Sequence, residues 1–235
     1  MKRTTTLFIL LVLAFSSSYS QNINVKKSGF YAGIGYSVMI YTNSEVGEIY
    51  PAFNFRVSSF NSELTPHIGY KLSDMVSIEF APSFIHSKSG GDKGFYFQSG
   101  TTNYYYVPSP PFLFAFPLNA KIKLFPFTKS KSYFVKGLFF GIAAGPMFIR
   151  EEYENYIYPD NNMTNMLNIR SEYNSIWTGN AQFSFGYTGG ESVTYGAELG
   201  YRFVPLPLNR DYPLITSIAS NMNSVLLNIK IGFNF

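Results

Sequence analysis

From Val225 onward every second side chain is apolar: Val225, Leu227, Ile229, Ile231, Phe233 and Phe235 alternate with Asn228, Lys230, Gly232 and Asn234. A period of two puts the two rows on opposite faces of an extended strand. The stretch has the length of a strand that crosses a bilayer, roughly 9–11 residues. One face is continuously greasy and the other is small or polar, so the segment fits a wall between lipid and a polar interior better than a wall between a core and water.

Seven more segments read the same way. Gly29 to Tyr41 sets Phe30, Ile34, Tyr36 and Ile40 against Gly33, Gly35 and Ser37. Ser62 to Leu72 sets Leu64, Ile68 and Tyr70 against Thr65, His67, Gly69 and Lys71. The third runs from Val76 to Phe84, with Ile78 and Phe80 opposite Ser77 and Glu79. In the fourth, Phe112 to Phe125, Phe116, Leu118, Ile122 and Leu124 oppose Asn119, Lys121 and Lys123. The fifth, Tyr133 to Ile149, has Phe140, Ile142 and Phe148 opposite Gly137, Gly141 and Gly145. The sixth is Gly179 to Tyr187, and the seventh, Val193 to Phe203, opposes Leu199 and Phe203 to Glu198 and Arg202.

The connections alternate in length. Ser73-Asp74, Thr128 to Ser132 and Thr188 to Ser192 are short, whereas Thr42 to Asn61, His86 to Pro111, Arg150 to Thr178 and Leu206 to Met222 are long. Short turns on one rim and long loops on the other are the pattern of outer-membrane barrels, with the short turns periplasmic. The expected fold is therefore all-β, a closed up-and-down antiparallel transmembrane barrel of eight strands. A soluble sandwich also alternates, but it would turn its polar face outward, and here the polar face is too small to coat a soluble surface.

Composition points the same way. Charged residues make up 14% of the chain against roughly 25% in soluble domains, and there are 24 Phe and 19 Tyr. The longest internal apolar stretch, Gly137 to Ile149, is bracketed by Lys136 and Arg150 and is too short for a spanning helix. A bilayer-spanning chain without such a helix must close a barrel, since no backbone group can be left unpaired in hydrocarbon.

At the N-terminus, Lys2 and Arg3 precede the apolar run Leu7 to Phe15 and the small residues Ser18 and Ser20. This is the pattern of an export signal removed after residue 20, leaving 21–235 as the barrel domain. Loss of Lys2 and Arg3 lowers the formal charge from +4 to +2, so nothing suggests a nucleic-acid surface. With no Cys, neither a disulfide framework nor a lipid-modified cysteine is available.

Gly69-Tyr70-Lys71-Leu72-Ser73-Asp74, Ala143-Ala144-Gly145-Pro146, Gly196 to Phe203 and the terminal Ile231-Gly232-Phe233-Asn234-Phe235 together resemble the small outer-membrane β-barrel family, the OmpA/OmpX-like, porin-family type of barrel. The resemblance implies residence in the outer membrane of a Gram-negative cell. It implies contact with outer-membrane lipid and lipopolysaccharide, and recognition of the final Phe by the outer-membrane assembly machinery. It implies no particular activity, because members of this family share a barrel and differ in function.

An eight-stranded barrel is just wide enough for side chains to fill it. Lys71, Lys121, Lys123, Arg202 and Lys230 face inward with Glu79 and Glu198, and confined charges must be paired. Setting Val193 opposite Phe235 places Glu198 opposite Lys230, and Glu79 falls near Lys121 or Lys123. These five (Glu79, Lys121, Lys123, Glu198, Lys230) are the interior ion-pair candidates, giving a lumen filled by polar side chains, with a narrow channel as an alternative.

A lipid A-modifying enzyme is the other alternative. It would need a base and a nucleophile on the outward face, but His86 and Ser87 are neighbours on a strand and so point apart. His67 faces inward. No catalytic, metal or cofactor site is assigned. The long loops carry Phe95, Tyr96, Tyr104, Tyr105, Tyr106, Tyr156 and Tyr158, read as loop-contact aromatics for an unspecified extracellular ligand. Phe95 to Phe97 and Tyr104 to Tyr106 are expected to form a hairpin extending strands three and four, and the protein to be a monomer with a structural or surface-interaction role.

Overall fold

A computed structural model describes residues 29–51, 53–54, 59–88, 95–99, 101–109, 111–207 and 219–235. The predicted export signal lies outside them. Chain order gives β1 (Gly29–Tyr41), a short helix α1 (Ser44–Ile49), a small hairpin β2 (Phe53–Asn54) and β3 (Ser59–Phe60), then β4 (Ser62–Lys71), β5 (Val76–Pro82), β6 (Phe84–Lys88), β7 (Phe95–Ser99), β8 (Thr102–Pro108) and β9 (Phe112–Leu124). A second helical turn, α2 (Tyr133–Lys136), precedes β10 (Leu138–Tyr158), β11 (Asn168–Gly189), β12 (Val193–Phe203) and β13 (Ser224–Asn234).

Eight staves close into an antiparallel barrel, in the order β1, β4, β5 with β6, β9, β10, β11, β12, β13. The seam is β1 on β13, in register from Tyr31 opposite Asn234 to Tyr41 opposite Ser224. Gly33 faces Gly232 there. The backbones come so close that a Cβ on Gly33 would lie 2.3 Å from the Ile231 carbonyl oxygen, so a glycine is what lets this pair meet.

The third stave is one strand interrupted at Ser83. β5 and β6 keep a single register against β9, from Val76 opposite Leu124 to Lys88 opposite Phe112. Pro82 and, across the ladder, Pro117 lack the N–H that would complete pairing at this level. The Ser83 N–H still donates to the Pro117 carbonyl at 2.9 Å.

The outward rows are those the alternation predicts. Phe30, Ile34, Ile68, Phe80, Ile122, Phe140, Ile142, Phe183, Leu199, Ile229 and Phe233 are all exposed. Together they form an apolar belt around the barrel, far beyond what a soluble monomer leaves bare.

Two expected boundaries change. The fifth strand begins at Leu138 and not at Tyr133, because Tyr133–Lys136 forms the turn α2, which sits beside the next short turn: the Gly190 N–H donates to the Tyr133 hydroxyl at 2.7 Å. Gly190 has φ 98, and a Cβ there would meet the Val193 carbonyl oxygen at 1.9 Å, so this tight turn requires glycine.

The third long connection is the larger correction. Arg150 to Thr178 is mostly strand: β10 has 21 residues and β11 has 22, paired continuously from Leu138 opposite Tyr187 to Ile157 opposite Asn168. Beyond the barrel rim the outward face of β10 changes from apolar to Arg150, Glu152 and Glu154, which looks like a loop in the sequence while the ladder runs on. The β7–β8 hairpin joins this projection through Tyr156 opposite Val107 and Tyr158 opposite Tyr105. The hairpin expected in the second loop therefore exists, with Phe95 opposite Tyr106 and Phe97 opposite Tyr104. It extends the fifth stave's sheet and not strands three and four.

Candidate functional site

The lumen has two chemically distinct halves. Toward the short-turn rim, Glu79 on β5, Glu198 on β12, Lys121 and Lys123 on β9 and Lys230 on β13 meet in one buried cluster. Lys121 pairs with Glu198, and Lys123 with Glu79. Lys230 lies between the two acids, 3.1 Å from Glu79 Oε1 and 3.3 Å from Glu198 Oε2; the second contact joins the charges without the alignment of a hydrogen bond. The Tyr31 hydroxyl adds a hydrogen bond to Glu79 Oε2 at 3.3 Å.

The register behind this cluster differs from the expected one. Val193 stands opposite Phe233, which puts Glu198 opposite Asn228 and Lys230 opposite Gly196. Lys230 therefore reaches Glu198 diagonally. Glu79 is the cross-strand partner of Lys121, yet its carboxylate bonds Lys123 one step along. Gly141 on β10 supplies the space, since a Cβ there would lie 2.8 Å from Lys121 Cε.

One layer further from the short turns, Arg202 Nη2 donates to Glu63 Oε1 at 2.7 Å and to Gln182 Oε1 at 3.2 Å, and Gln182 Nε2 donates to Glu198 Oε1 at 3.2 Å. A single polar chain thus runs from Glu63 through Arg202, Gln182 and Glu198 to Lys230 and Glu79. Glu63 and Gln182 were missed as members. Glu63 shares the odd-numbered inward phase of Thr65, His67 and Lys71, and extending that row by one pair would have found it. A cavity of about 20 Å³ available to water centres adjoins this layer. Thr65 Oγ1, Asn119 Oδ1 and Asn228 Oδ1 border it without a protein partner, a setting with room for about one ordered water.

The half toward the long loops is apolar, which corrects the expectation of a lumen filled throughout by polar side chains. Met39, Ile85, Leu113, Met147, Ile149 and Leu226 turn inward and pack into one cluster. The loop after β1 folds down onto it. Asn43 caps α1, its Oδ1 accepting from the Glu45 and Val46 N–H groups at 3.0 and 3.2 Å; Val46 of the helix and Tyr50, its C-cap, belong to the cluster. Tyr50 is fully buried, and its hydroxyl donates to Glu151 Oε1 at 2.6 Å. Burial, then the Glu151 carboxylate, push that hydroxyl well above its usual range. Asn61 Nδ2 donates to the Tyr50 carbonyl at 2.8 Å and ties down the loop's far end. The apolar interior was missed because both faces are apolar here, as in Leu226-Leu227 and Phe148-Ile149, and the alternation that marks a wall disappears.

The loop-contact aromatics are brought together in the projecting sheet. Tyr104, Tyr105, Tyr106, Tyr156 and Tyr158 are half-buried there, and the Tyr156 hydroxyl donates to Glu154 Oε2 at 2.8 Å, a bond that pushes it up from its ordinary range. The side chains of Phe95 and Tyr96 lie outside the described residues. Among the described residues, Tyr173 at 59% and Trp177 at 64% are the most exposed aromatics of the long β10–β11 hairpin; Arg150 stands 5.1 Å over the Tyr173 ring.

His86 faces outward with its ring 5.5 Å from that of Phe114, and Ser87 faces inward, 2.9 Å from the Tyr41 hydroxyl. A base and a nucleophile on opposite faces of a barrel wall do not act on one substrate. Among the described residues no three His, Cys, Asp or Glu side chains form a group able to hold a metal ion.

No family model and no curated protein matches the chain. Solved structures that resemble it include Neisserial surface protein A, at 12% identity over 89% of this chain and 100% of that one, with a TM-score of 0.43. Ail, the attachment invasion locus protein of Yersinia pestis, matches at 8% identity over 90% and 99% with a TM-score of 0.42. The outer membrane protein OprG from Pseudomonas aeruginosa matches at 11% identity over 91% and 99% with a TM-score of 0.38. Likeness at this level adds nothing to the strand pairing, on which the eight-stave barrel stands.

Proposed function

We propose that this protein is a non-conducting anchor in the outer membrane of a Gram-negative cell, holding a β-sheet above the surface as its contact surface. The observation that carries this reading is the length of β10. Its 21 residues amount to about 70 Å at ~3.3 Å per residue, while a tilted spanning strand uses roughly 9–11 residues. About half of the longest hairpin is therefore built for use outside the bilayer. The apolar belt supports residence in lipid. The plug of Met39, Ile85, Leu113, Met147 and Tyr50 supports a closed lumen, because a packed apolar constriction carries neither ions nor ordered water.

In this reading residues 1–20 are the removed export signal, and the short turns and both ends of the barrel face the periplasm. Lipid and lipopolysaccharide surround a monomer, and the assembly machinery inserts it. The role is structural or one of surface interaction, and not catalytic.

Two measurements test it together. The refolded protein in a planar bilayer should give no steady conductance. A Cys introduced at Asn162, on the turn between β10 and β11, should react in intact cells with a membrane-impermeant maleimide. Steady single-channel currents would replace the anchor with a channel, and an unreactive Asn162→Cys would remove the surface sheet.

A further inference from the structure

The ionic cluster does not balance. Four lysines, Lys71, Lys121, Lys123 and Lys230, face the short-turn half of the lumen with two carboxylates, Glu79 and Glu198. Lys121 and Lys123 each have an acid, and Lys230 shares both of those acids. Lys71 makes no ion pair among the described residues. Asp74, the nearest acid along the chain, stands on the exposed turn after β4. Residues 1–28 contain no acidic side chain that could supply the missing charge.

The surplus is concentrated in one place. Lys71 and Lys123 are the cross-strand neighbours of Ser77, on either side of it, and all three turn inward from β4, β5 and β9. They line a second cavity near the short-turn rim, with about 30 Å³ available to water centres. Its remaining polar lining includes Thr188, Thr194 and Asn234, and no carboxylate lines it. Two ammonium groups lining one confined space with hydroxyl donors, where Lys123 shares its single acid with Lys230 and Lys71 has no acid within ion-pair reach among the described residues, are the components of an anion site. Leaving the surplus positive charge unmatched is unfavourable.

We infer that the short-turn half of the lumen binds a small free inorganic oxyanion of the phosphate class, held between Lys71 and Lys123 and reached from the short-turn rim. The anion completes the charge balance of the cluster and displaces the water of the cavity. The site does not depend on the projecting sheet or on what that sheet contacts.

The test uses the full mature chain refolded in a detergent without phosphate, with inorganic phosphate as the probe and sodium chloride at equal ionic strength as the control. Phosphate should raise the unfolding midpoint in a saturable manner and chloride much less. Lys71→Gln should remove the phosphate-specific rise while still folding, since Lys71 is partly exposed at the rim. Lys71→Glu should be more stable than wild type in phosphate-free buffer and indifferent to phosphate, because it carries its own counter-charge. Equal responses to phosphate and chloride, or a Lys71→Gln variant that responds to phosphate as wild type does, would overturn the inference. So would a wild-type protein that responds only to an added short-chain phosphatidylglycerol, which would make the ligand a lipid headgroup.

Discussion

Lys230 Nζ lies 3.1 Å from Glu79 Oε1, so a residue of the last strand is tied across the lumen to a residue of the third stave. Glu79 also holds Lys123, and it is the acid on which two buried lysines depend. Glu79→Gln should therefore destabilise the barrel by about 3–5 kcal/mol, the usual result of stranding buried charge. Lys230→Met should do less harm, because Glu79 and Glu198 each keep another lysine. Denaturant midpoints of the refolded proteins in micelles compare the two; equal midpoints for Glu79→Gln and wild type would mean that the cluster is not a source of stability.

The seam gives a sharper steric contrast. Gly33→Ala places a methyl group 2.3 Å from the Ile231 carbonyl oxygen, whereas at Gly179 an added Cβ meets nothing within 4 Å. Gly33→Ala should reduce the folded, heat-modifiable band on gels of outer-membrane fractions, and Gly179→Ala should leave it at wild-type level. A Gly33→Ala protein that closes as efficiently as wild type would argue that β1 and β13 do not meet in this register.

The plug can be loosened in two steps. Tyr50→Phe keeps the ring and removes one hydrogen bond to the Glu151 carboxylate, at a cost of about 1.5–3 kcal/mol. Tyr50→Ala also empties a buried aromatic site, where losses of about 3–5 kcal/mol are typical. Protease cleavage within 42–61 should rise in that order while the barrel core stays resistant. Identical cleavage in all three proteins would mean that Tyr50 does not hold the loop down.

Orientation is tested at Ser130, in the short turn between β9 and α2. A Cys at this position should react with an impermeant maleimide only after the outer membrane is permeabilised. Labelling in intact cells would invert the barrel.

What could be read in the sequence follows from what lipid selects. A bilayer requires every outward position of a spanning strand to be apolar, so the rows from Phe30 to Ile40 and from Val225 to Phe235 were plain. Register was not. Moving β13 by two residues against β12 leaves every side chain on its own face, so hydrophobic pattern cannot tell Glu198 opposite Lys230 from Glu198 opposite Asn228; the observed pairing continues in one register past the strand ends to a bridge between Pro205 and Asn221. Strand ends were hidden for a related reason. Beyond the lipid no apolar row is required, and Arg150, Glu152 and Glu154 continue β10 with a polar exterior. The plug was hidden because Met39, Met147 and Leu226 break the alternation from the inside, and only packing against Val46 and Tyr50 shows why.

The unbroken pairing of β10 with β11 has a mechanical consequence. From Leu138 to Ile157 the ladder has no hinge between the part that projects and the part that belongs to the barrel wall. A pull applied at the turn between them acts along the strands, and β9 and β12 hold the two flanks of the hairpin. The load then falls on many backbone hydrogen bonds at once, in shear, and not on one pair at a time as in unzipping. Whatever grips the tip of this sheet is pulling on the barrel wall itself, with no flexible tether to take up the strain.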